Sequence, residues 1–577
     1  MGVKEVPLFS RSEVVDRPAV TRIGGGSLGG KAAGLYLIQE EIIPLIDADE
    51  ILGFSVGVPP MVVLGTDVFD RFMDDNKLWN LIASEPPDDH VALAFQRGEM
   101  PVEYVGDLWA LIEGMTTPLA VRSSSRLEDD LDHPFAGVYA TKMVPNNAFS
   151  ADQRFCLLIE AIKFVWASTF FASARSAVAA AGKMPQDEKM AVILQEVVGQ
   201  RAGDRFYPCV SGVGRTYNFY PSGAAQASDG VINLALGLGR TIVDGGRSWG
   251  FSPALPKAPP PFNSVGELLK NTQIRFWAVN MGPAEVPDPL RETEYLVEAG
   301  LADAEADGAL RLLVSTYDAG SDRLDPGLGR HGPRALTFAP LVASRMIPFS
   351  DLMRQMLDAS RKVLDQDVEI EFAVRLDRQH GLPADVGFLQ VRPMRVVTEG
   401  IEVDEAVLDD PRVVIASTHV LGNGVQDGIR DVVFLDPDSF DPETTFEVAA
   451  ELEGINRRLV AEGRPYILVG FGRWGTSDAR QGIPVTWGQI SGAKIIVEAT
   501  LPEVNTDLSQ GSHFFHNVLG FRILYLSVEH DGPRPIDWAW LRSCPRIPGT
   551  ERVIHVRIDH PLEVRVDGRN MRGVILR

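Results

Sequence analysis

LAVRSSSRLEDDLDHPFAGVYAT, residues Leu119 to Thr141, starts as an apolar strand and turns into a polar, cationic loop. Leu119, Ala120 and Val121 read as a buried β segment, and Arg122, Ser123, Ser124, Ser125 and Arg126 follow at once. A strand end carrying a guanidinium and successive hydroxyls presents the donors that a polyphosphate needs. In the second part, His133 to Gly137, the backbone can lie close to a ligand because Gly137 has no side chain. The alternative for the middle of the stretch is a solvated charge run made by Arg126 with Glu128, Asp129 and Asp130.

Upstream, GGGSLGGK begins at Gly24 and runs into a helix whose apolar positions Leu35, Ile38 and Ile42 recur at helical spacing until Pro44. Lys31 follows Gly29 and Gly30 at the helix start, where free backbone N–H groups and the positive dipole end favour a phosphate. A glycine-rich surface turn with a solvated lysine fits the same residues equally well. Gly25 to Lys31 also matches the P-loop spacing G-x-x-x-x-G-K, yet Ala32 stands where a hydroxyl should bind Mg²⁺. The preceding AVTRI is moreover a poor buried strand, so an ordinary P-loop NTPase is the weaker reading.

Downstream the pattern is mixed α/β. A long helical stretch is expected from about residue 150 to 181, with strands at MAVILQEVV (Met190–Val198) and VINLALGLG (Val231–Gly239). Ser252–Phe262 is a proline-rich connector, and Leu376–Gly387 reads as a hairpin-like loop between EIEFAVR and GFLQVR. A boundary is expected near residue 400. Beyond it RVVIAS, DVVFLD, a helix over Glu443–Glu462, YILVGFG, AKIIVEA and FRILYLS predict a second α/β unit, closed by ERVIHVRI and a hairpin turning at Asp567 and Gly568.

AVRSSSRLEDDLDHPFAG resembles the phosphate-binding signature of the pyruvate phosphate dikinase and phosphoenolpyruvate synthase family. In the same order, GGKAAGL resembles that family's lysine motif, MAVILQEVV its adenine-side strand, GLGRTIVDG its glycine-rich segment, and IEFAV with FLQVRPM its closing metal and phosphate motifs. The resemblance implies an α/β (α+β) fold: an ATP-grasp-like domain over residues 1–399, with lobes at about 20–120 and 190–396, and a smaller C-terminal α/β domain over 400–577. It implies ATP and Mg²⁺ as cofactors. Residue by residue it carries Lys31, Arg122 and Arg392 to the phosphates as the catalytic cations. Gln195 and Glu196 go to the adenine or ribose side, and Glu371 and Gln390 to the metal. A carboxylate and an amide oxygen on paired strands are the hard ligands that Mg²⁺ takes.

The implied activity is ATP-dependent phosphoryl transfer to an acceptor. The alternatives are the ATP-binding subunit of a split dikinase, with the phosphohistidine on a partner protein, a nucleotide-sensing module without turnover, and carboxylate ligation. Arg240 departs from the family, which has an acidic residue after GLG. The phosphohistidine segment is also missing: only IASTHVLGNG around His419 echoes it, and a core or hydrogen-bonded histidine is the stronger reading. The remaining 180 or so residues are too few for an eight-stranded α/β barrel, which takes about 250.

In the C-terminal part, GFGRWGTSDARQGIPVTWGQISGAK offers Arg473, Trp474, Asp478 and Arg480 on a glycine-punctuated loop that can bind an anion or be purely structural. His513 and His516 share a helical spacing, but with no third ligand in sight a metal is not favoured. Similar segments occur in bacterial proteins that append such a domain to a dikinase-type ATP module.

The composition is that of an ordinary globular chain, with 45% hydrophobic and 23% charged residues. A net charge of −23 disfavours nucleic acid as a partner. The N-terminus lacks a signal-like apolar run, and no unbroken run of 18 apolar residues predicts a membrane span. Cys156, Cys209 and Cys544 are too few and too scattered for a disulfide framework, so a reducing cytoplasm is expected.

Overall fold

A computed structural model describes residues 5–12, 14, 17–47, 50–51, 53–126, 128, 137–180, 183–219, 221, 224–258, 264–283, 288–329, 332–344, 346–377, 382–394, 401–476, 481–502, 514, 518 and 523–577. The chain divides into two compact units. The first runs to Met394, and the second takes Arg395–Arg577 together with Val243–Gly246.

In the first unit one sheet is ordered β1 (Val20–Ile23), β3 (Met61–Leu64), β6 (Met190–Glu196), β4 (Leu119–Ser125), β5 (Thr141–Val144). Its central strands are buried on both faces, so β6 reads MAVIL without alternation. AVTRI is strand after all: β1 lies parallel to β3 at the sheet edge, with Val20 and Ile23 in the core. Its signal is weak because the strand is only four residues long and carries Thr21 and Arg22 between the apolar Val20 and Ile23; on its other side Arg22 bridges Leu8.

A second sheet is ordered β11 (Trp249–Phe251), β10 (Val231–Ala235), β9 (Val210–Arg215), β17 (Val368–Asp377), β18 (Leu382–Pro393), β2 (Ser55–Gly57). The two sheets exchange strands across the sequence: β2 comes from the N-terminal stretch, while β6 joins the first sheet. The hairpin loop expected over Leu376–Gly387 is shorter than read, because the β17–β18 ladder continues to the pair Asp377 and Leu382. Two smaller sheets complete the unit, β13 (Leu296–Gly300), β12 (Arg275–Asn280), β8 (Arg205–Tyr207), β7 (Gln200–Ala202) and β15 (Arg323–Pro326), β14 (Val314–Asp318), β16 (Arg334–Leu336).

The helix α1 (Gly29–Leu37) continues through a π turn at Ile38–Ile42 into a short 3₁₀ turn containing Pro44. Leu35, Ile38 and Ile42 are all fully buried, as their spacing predicts. The long helical stretch is two helices, Ala151–Ser168 and Ala172–Ala180, parted at Thr169–Phe171. Within Ala151–Ala179 an 18-residue window is apolar enough to cross a membrane by composition, but most of that window is buried in this unit. Trp166 packs there on Phe72, with ring centroids 4.9 Å apart.

The second unit centres on a sheet ordered β19 (Val413–Ser417), β29 (Arg572–Leu576), β28 (Val553–Asp567), β21 (Asn423–Leu435), β22 (Tyr466–Phe471), β25 (Ala493–Ala499), β26 (Leu524–Val528), β20 (His419–Leu421), with β27 (Arg546–Ile547) beside β28. β21, β22, β25 and β26 run parallel, and the helix Thr445–Ala461 joins β21 to β22. ERVIHVRI and LEVRVD form one continuous strand, β28, whose hairpin to β29 closes through Asp567 opposite Arg572. The Asp567 carboxylate accepts from the backbone N–H groups of Arg569 and Asn570, which fixes the turn.

Asp431 is the polar anchor of this unit. It is buried, which opposes its ionisation, yet hydrogen bonds from His555, Arg464 and Arg557 outweigh burial and hold its carboxyl at about 2. Because Arg458 Nη2 can only donate to His555 Nδ1, at 3.1 Å, the imidazole proton sits on Nε2 and is donated to Asp431 at 2.8 Å.

Candidate functional site

Arg122 is the fourth residue of β4, and its guanidinium reaches from the first sheet to the second. Nη1 donates to Gln195 Oε1 on β6 at 3.1 Å and to the Leu389 carbonyl on β18 at 2.9 Å. Nη2 donates to Gln390 Oε1 at 3.2 Å and lies 3.9 Å from Glu371 Oε2. The Leu389 carbonyl is available because of a β-bulge: Glu371 pairs with Gln390 and Phe372 with Phe388, which leaves Leu389 without an opposite residue. Sequence reading placed Arg122, Gln195, Glu371 and Gln390 in one site, and the structure brings these four together.

Glu371 and Glu369 sit two apart on β17 and so share a face, opposite Gln390 and Arg392 respectively. Arg392 Nε donates to Glu369 Oε1 at 2.7 Å, and Arg215 Nε on β9 donates to Glu369 Oε2 at 2.6 Å. All three of these side chains are buried. Glu369, absent from the sequence-derived set, is thus the carboxylate that holds Arg392. Its signal was the strand alternation itself, since a residue two before Glu371 must face the same way.

Lys31 belongs to a neighbouring cluster. Its Nζ pairs with Glu128 and lies 3.4 Å from Ser123 Oγ. Arg122 and Ser123 are consecutive on β4, so the Lys31 and Arg122 clusters are adjacent along that strand. α1 is seated by Ser124, whose Oγ donates to the Leu28 carbonyl at 2.7 Å and accepts from the Ala32 N–H at 3.1 Å. Gly29 makes this seating possible: it has φ +76°, and a Cβ there would lie 1.9 Å from the Ser124 carbonyl oxygen. Glu128 is not part of a solvated charge run, because it is 1% exposed; Arg126 alone of the described residues in that run faces solvent.

Gln195 and Glu196 are consecutive on β6 and point to opposite faces. Gln195 meets Arg122, while Glu196 Oε1 lies 3.4 Å from Arg17 Nη2. Arg240 Nη1 is 3.3 Å from Glu292 Oε1, so a carboxylate accompanies the cation that replaces the family's acidic residue.

Among the described residues no three His, Cys, Asp or Glu side chains are grouped to enclose a metal. Glu371 and Gln390, directly opposed and presenting one carboxylate and one amide, fit Mg²⁺ bound mainly through phosphates and water.

A family model described as "Pyruvate phosphate dikinase, AMP/ATP-binding domain" matches residues 26–411. The chain belongs to this family. Its ATP-grasp-like domain thus contains both clusters, the glycine-rich loop and the β17–β18 hairpin. No curated protein matches the chain.

The dikinase-family match stops at residue 411, short of most of the second unit. There Arg473 is buried on a short strand after β22, within 3.3 Å of Gln481 Oε1, and Trp474 Nε1 donates to the Val497 carbonyl at 3.3 Å. Glu498, at the carboxyl end of β25, is also buried; desolvation pushes its carboxyl up to about 8, against the opposing charge of Arg473. Asp478, Arg480, His513 and His516 lie outside the described residues. His419 is exposed on β20, where its backbone pairs with Ser527 and its N–H donates to Ser417 Oγ at 3.0 Å.

Proposed function

We propose that this chain is an ATP-dependent phosphotransferase of the dikinase type, with Lys31, Arg122 and Arg392 acting on the phosphates. The observation that carries this reading is the Arg122 guanidinium bonded to both sheets, which puts a polyphosphate-binding cation beside a carboxylate–amide pair suited to Mg²⁺. Such transfer needs little covalent help from the protein. It needs reactants held in line and charge on the equatorial oxygens offset, which preorganised Arg and Lys side chains do without reorganising. Glu371 and Gln390 hold the Mg²⁺ that accompanies ATP and offsets phosphate charge. Gln195, next to Arg122, and Glu196 serve the adenine or ribose side.

ATP to AMP, with transfer of the β-phosphate, is the chemistry this family membership favours. Three free thiols accord with a reducing cytoplasm. The setting of His419 favours a second reading, in which the acceptor histidine belongs to a partner protein: His419 is fixed in a strand ladder rather than on a swinging mount.

The test is product analysis after incubation with Mg·ATP, alone and with a metabolite mixture, followed by phosphorus NMR. AMP formation that Lys31→Ala abolishes supports the proposal; ATP that neither binds nor turns over defeats it.

A further inference from the structure

Behind Lys31 a polar chain runs into the core. Lys31 pairs with Glu128; Ser123 Oγ lies 3.1 and 3.2 Å from the two Glu128 carboxylate oxygens; and the Glu128 N–H donates to Ser125 Oγ at 3.2 Å. Ser125 also hydrogen-bonds Glu188, which precedes β6. Glu188 is 5% exposed, the Tyr139 phenol is a further hydrogen-bonding neighbour of its carboxyl, and its Oε1 has no partner within hydrogen-bond distance among the described residues. Ser125 therefore lies between the backbone N–H of Glu128 and the carboxyl of Glu188, while the Glu128 carboxylate is held by Lys31 and Ser123. The other groups facing Glu188 are the Tyr139 phenol, which burial keeps neutral, and Lys183.

We infer that Glu128 and Glu188 form a proton-accepting pair coupled to phosphate binding at Lys31, so that a nucleotide polyphosphate and a proton enter together. The inference rests on the nucleotide reading of the site. An anionic phosphate drawn to Lys31 takes a share of the charge that stabilises ionised Glu128 and adds a negative neighbour. Both effects raise the proton affinity of buried carboxyls. Burial, followed by the charge of Glu128, already pushes Glu188 up to about 7 in spite of its bond to Ser125, so the pair is poised to respond near neutrality. Linkage makes the relation reciprocal: phosphate binding weakens as pH rises through the range in which the pair loses its proton.

Titration calorimetry of the full chain with Mg²⁺ and the β,γ-imido analogue of ATP, at pH 7 in two buffers of different ionisation enthalpy, counts the protons. Uptake of about half a proton per nucleotide is expected, because a group half-protonated in the free protein becomes filled. Adenosine should bring none. Glu188→Gln should remove most of the uptake, and Glu128→Gln should tighten the analogue roughly tenfold by removing its competitor for Lys31. No uptake in the wild type, equal uptake in Glu188→Gln, or weaker binding in Glu128→Gln would each overturn the inference. If the analogue fails to bind the wild type at all, the nucleotide reading falls first, an outcome distinct from binding without proton linkage.

Discussion

Arg122 and Gln390 stand on different sheets and meet at 3.2 Å, Nη2 to Oε1, so that one guanidinium is at once a structural tie and the central cation of the site. A planar fork can serve the Gln195 amide, the Leu389 carbonyl and Gln390 together, whereas an ammonium is a point charge on a flexible stem. Arg122→Lys is accordingly expected to retain charge but lose the tie. The variant should lose about 1.5–3 kcal/mol of stability, the usual range for hydrogen bonds to charged groups, and most of its ATP turnover. Thermal melting and product assays check this; a variant with unchanged melting and turnover would show that the fork geometry is irrelevant.

Glu371 opposes Gln390 across the β17–β18 ladder with Arg122 alongside. Glu371→Gln keeps the volume and removes the charge, so Mg²⁺-dependent turnover should fall by at least about tenfold while melting stays near the wild type. Titrating activity against Mg²⁺ separates the cases, since a metal role shifts the Mg²⁺ requirement upward. A wild-type metal dependence would exclude Glu371 from the metal site.

Burial raises the Glu498 carboxyl to about 8, well above the roughly 4.3 of an unfolded glutamate. The sign follows from the raised value: the folded chain holds the proton more tightly than the unfolded chain. The contribution of Glu498 to stability is therefore fully present below pH 4.3 or so and is lost as pH rises to about 8. Each pH unit within that window costs up to about 1.4 kcal/mol. Glu498→Gln, neutral at every pH, should flatten the dependence and melt higher than the wild type at pH 8.5. Parallel melting profiles from pH 5 to 9 would contradict this.

Several elements of the fold were legible because single strands announced them. MAVIL reads as a strand from its short, β-branched apolar run, whereas it is the family resemblance, not periodicity, that assigns Glu371 and Gln390 to the metal. The short strand β1 gives a weak signal because Thr21 and Arg22 interrupt its apolar residues. The β17–β18 loop was overestimated because its polar residues resemble turn composition while the ladder still runs through them. Glu128 looked solvated because its neighbours in sequence are charged; only the fold reveals that Lys31 and Ser123 enclose it. The bulge at Leu389, which offers its carbonyl to Arg122, arises from strand registers that are paired over long distances and so has no local signal.

His419 decides whether the second unit carries phosphate. A phosphohistidine needs an exposed ring nitrogen, donors for the phosphoryl oxygens and a mount that travels between sites. His419 meets the first condition, being exposed, and Thr418 Oγ1 lies 3.4 Å from its Nδ1. The third condition fails: β20 pairs His419, Val420 and Leu421 with Ser527, Leu526 and Tyr525, and the hydroxyl of Ser417 ties the turn between β19 and β20 through the His419 N–H. Moving the histidine would break that ladder and expose the buried Val420 and Leu421, at about 1.5–3 kcal/mol for each apolar side chain. His419→Asn should therefore leave ATP cleavage within about twofold of the wild type, a change worth less than about 0.5 kcal/mol. No acid-labile, base-stable label should appear on the chain after incubation with β-labelled ATP. A label that forms and disappears in His419→Asn would make the second unit a carrier. If AMP forms only when a histidine-bearing partner is added, the chain is the ATP-binding half of a two-protein dikinase.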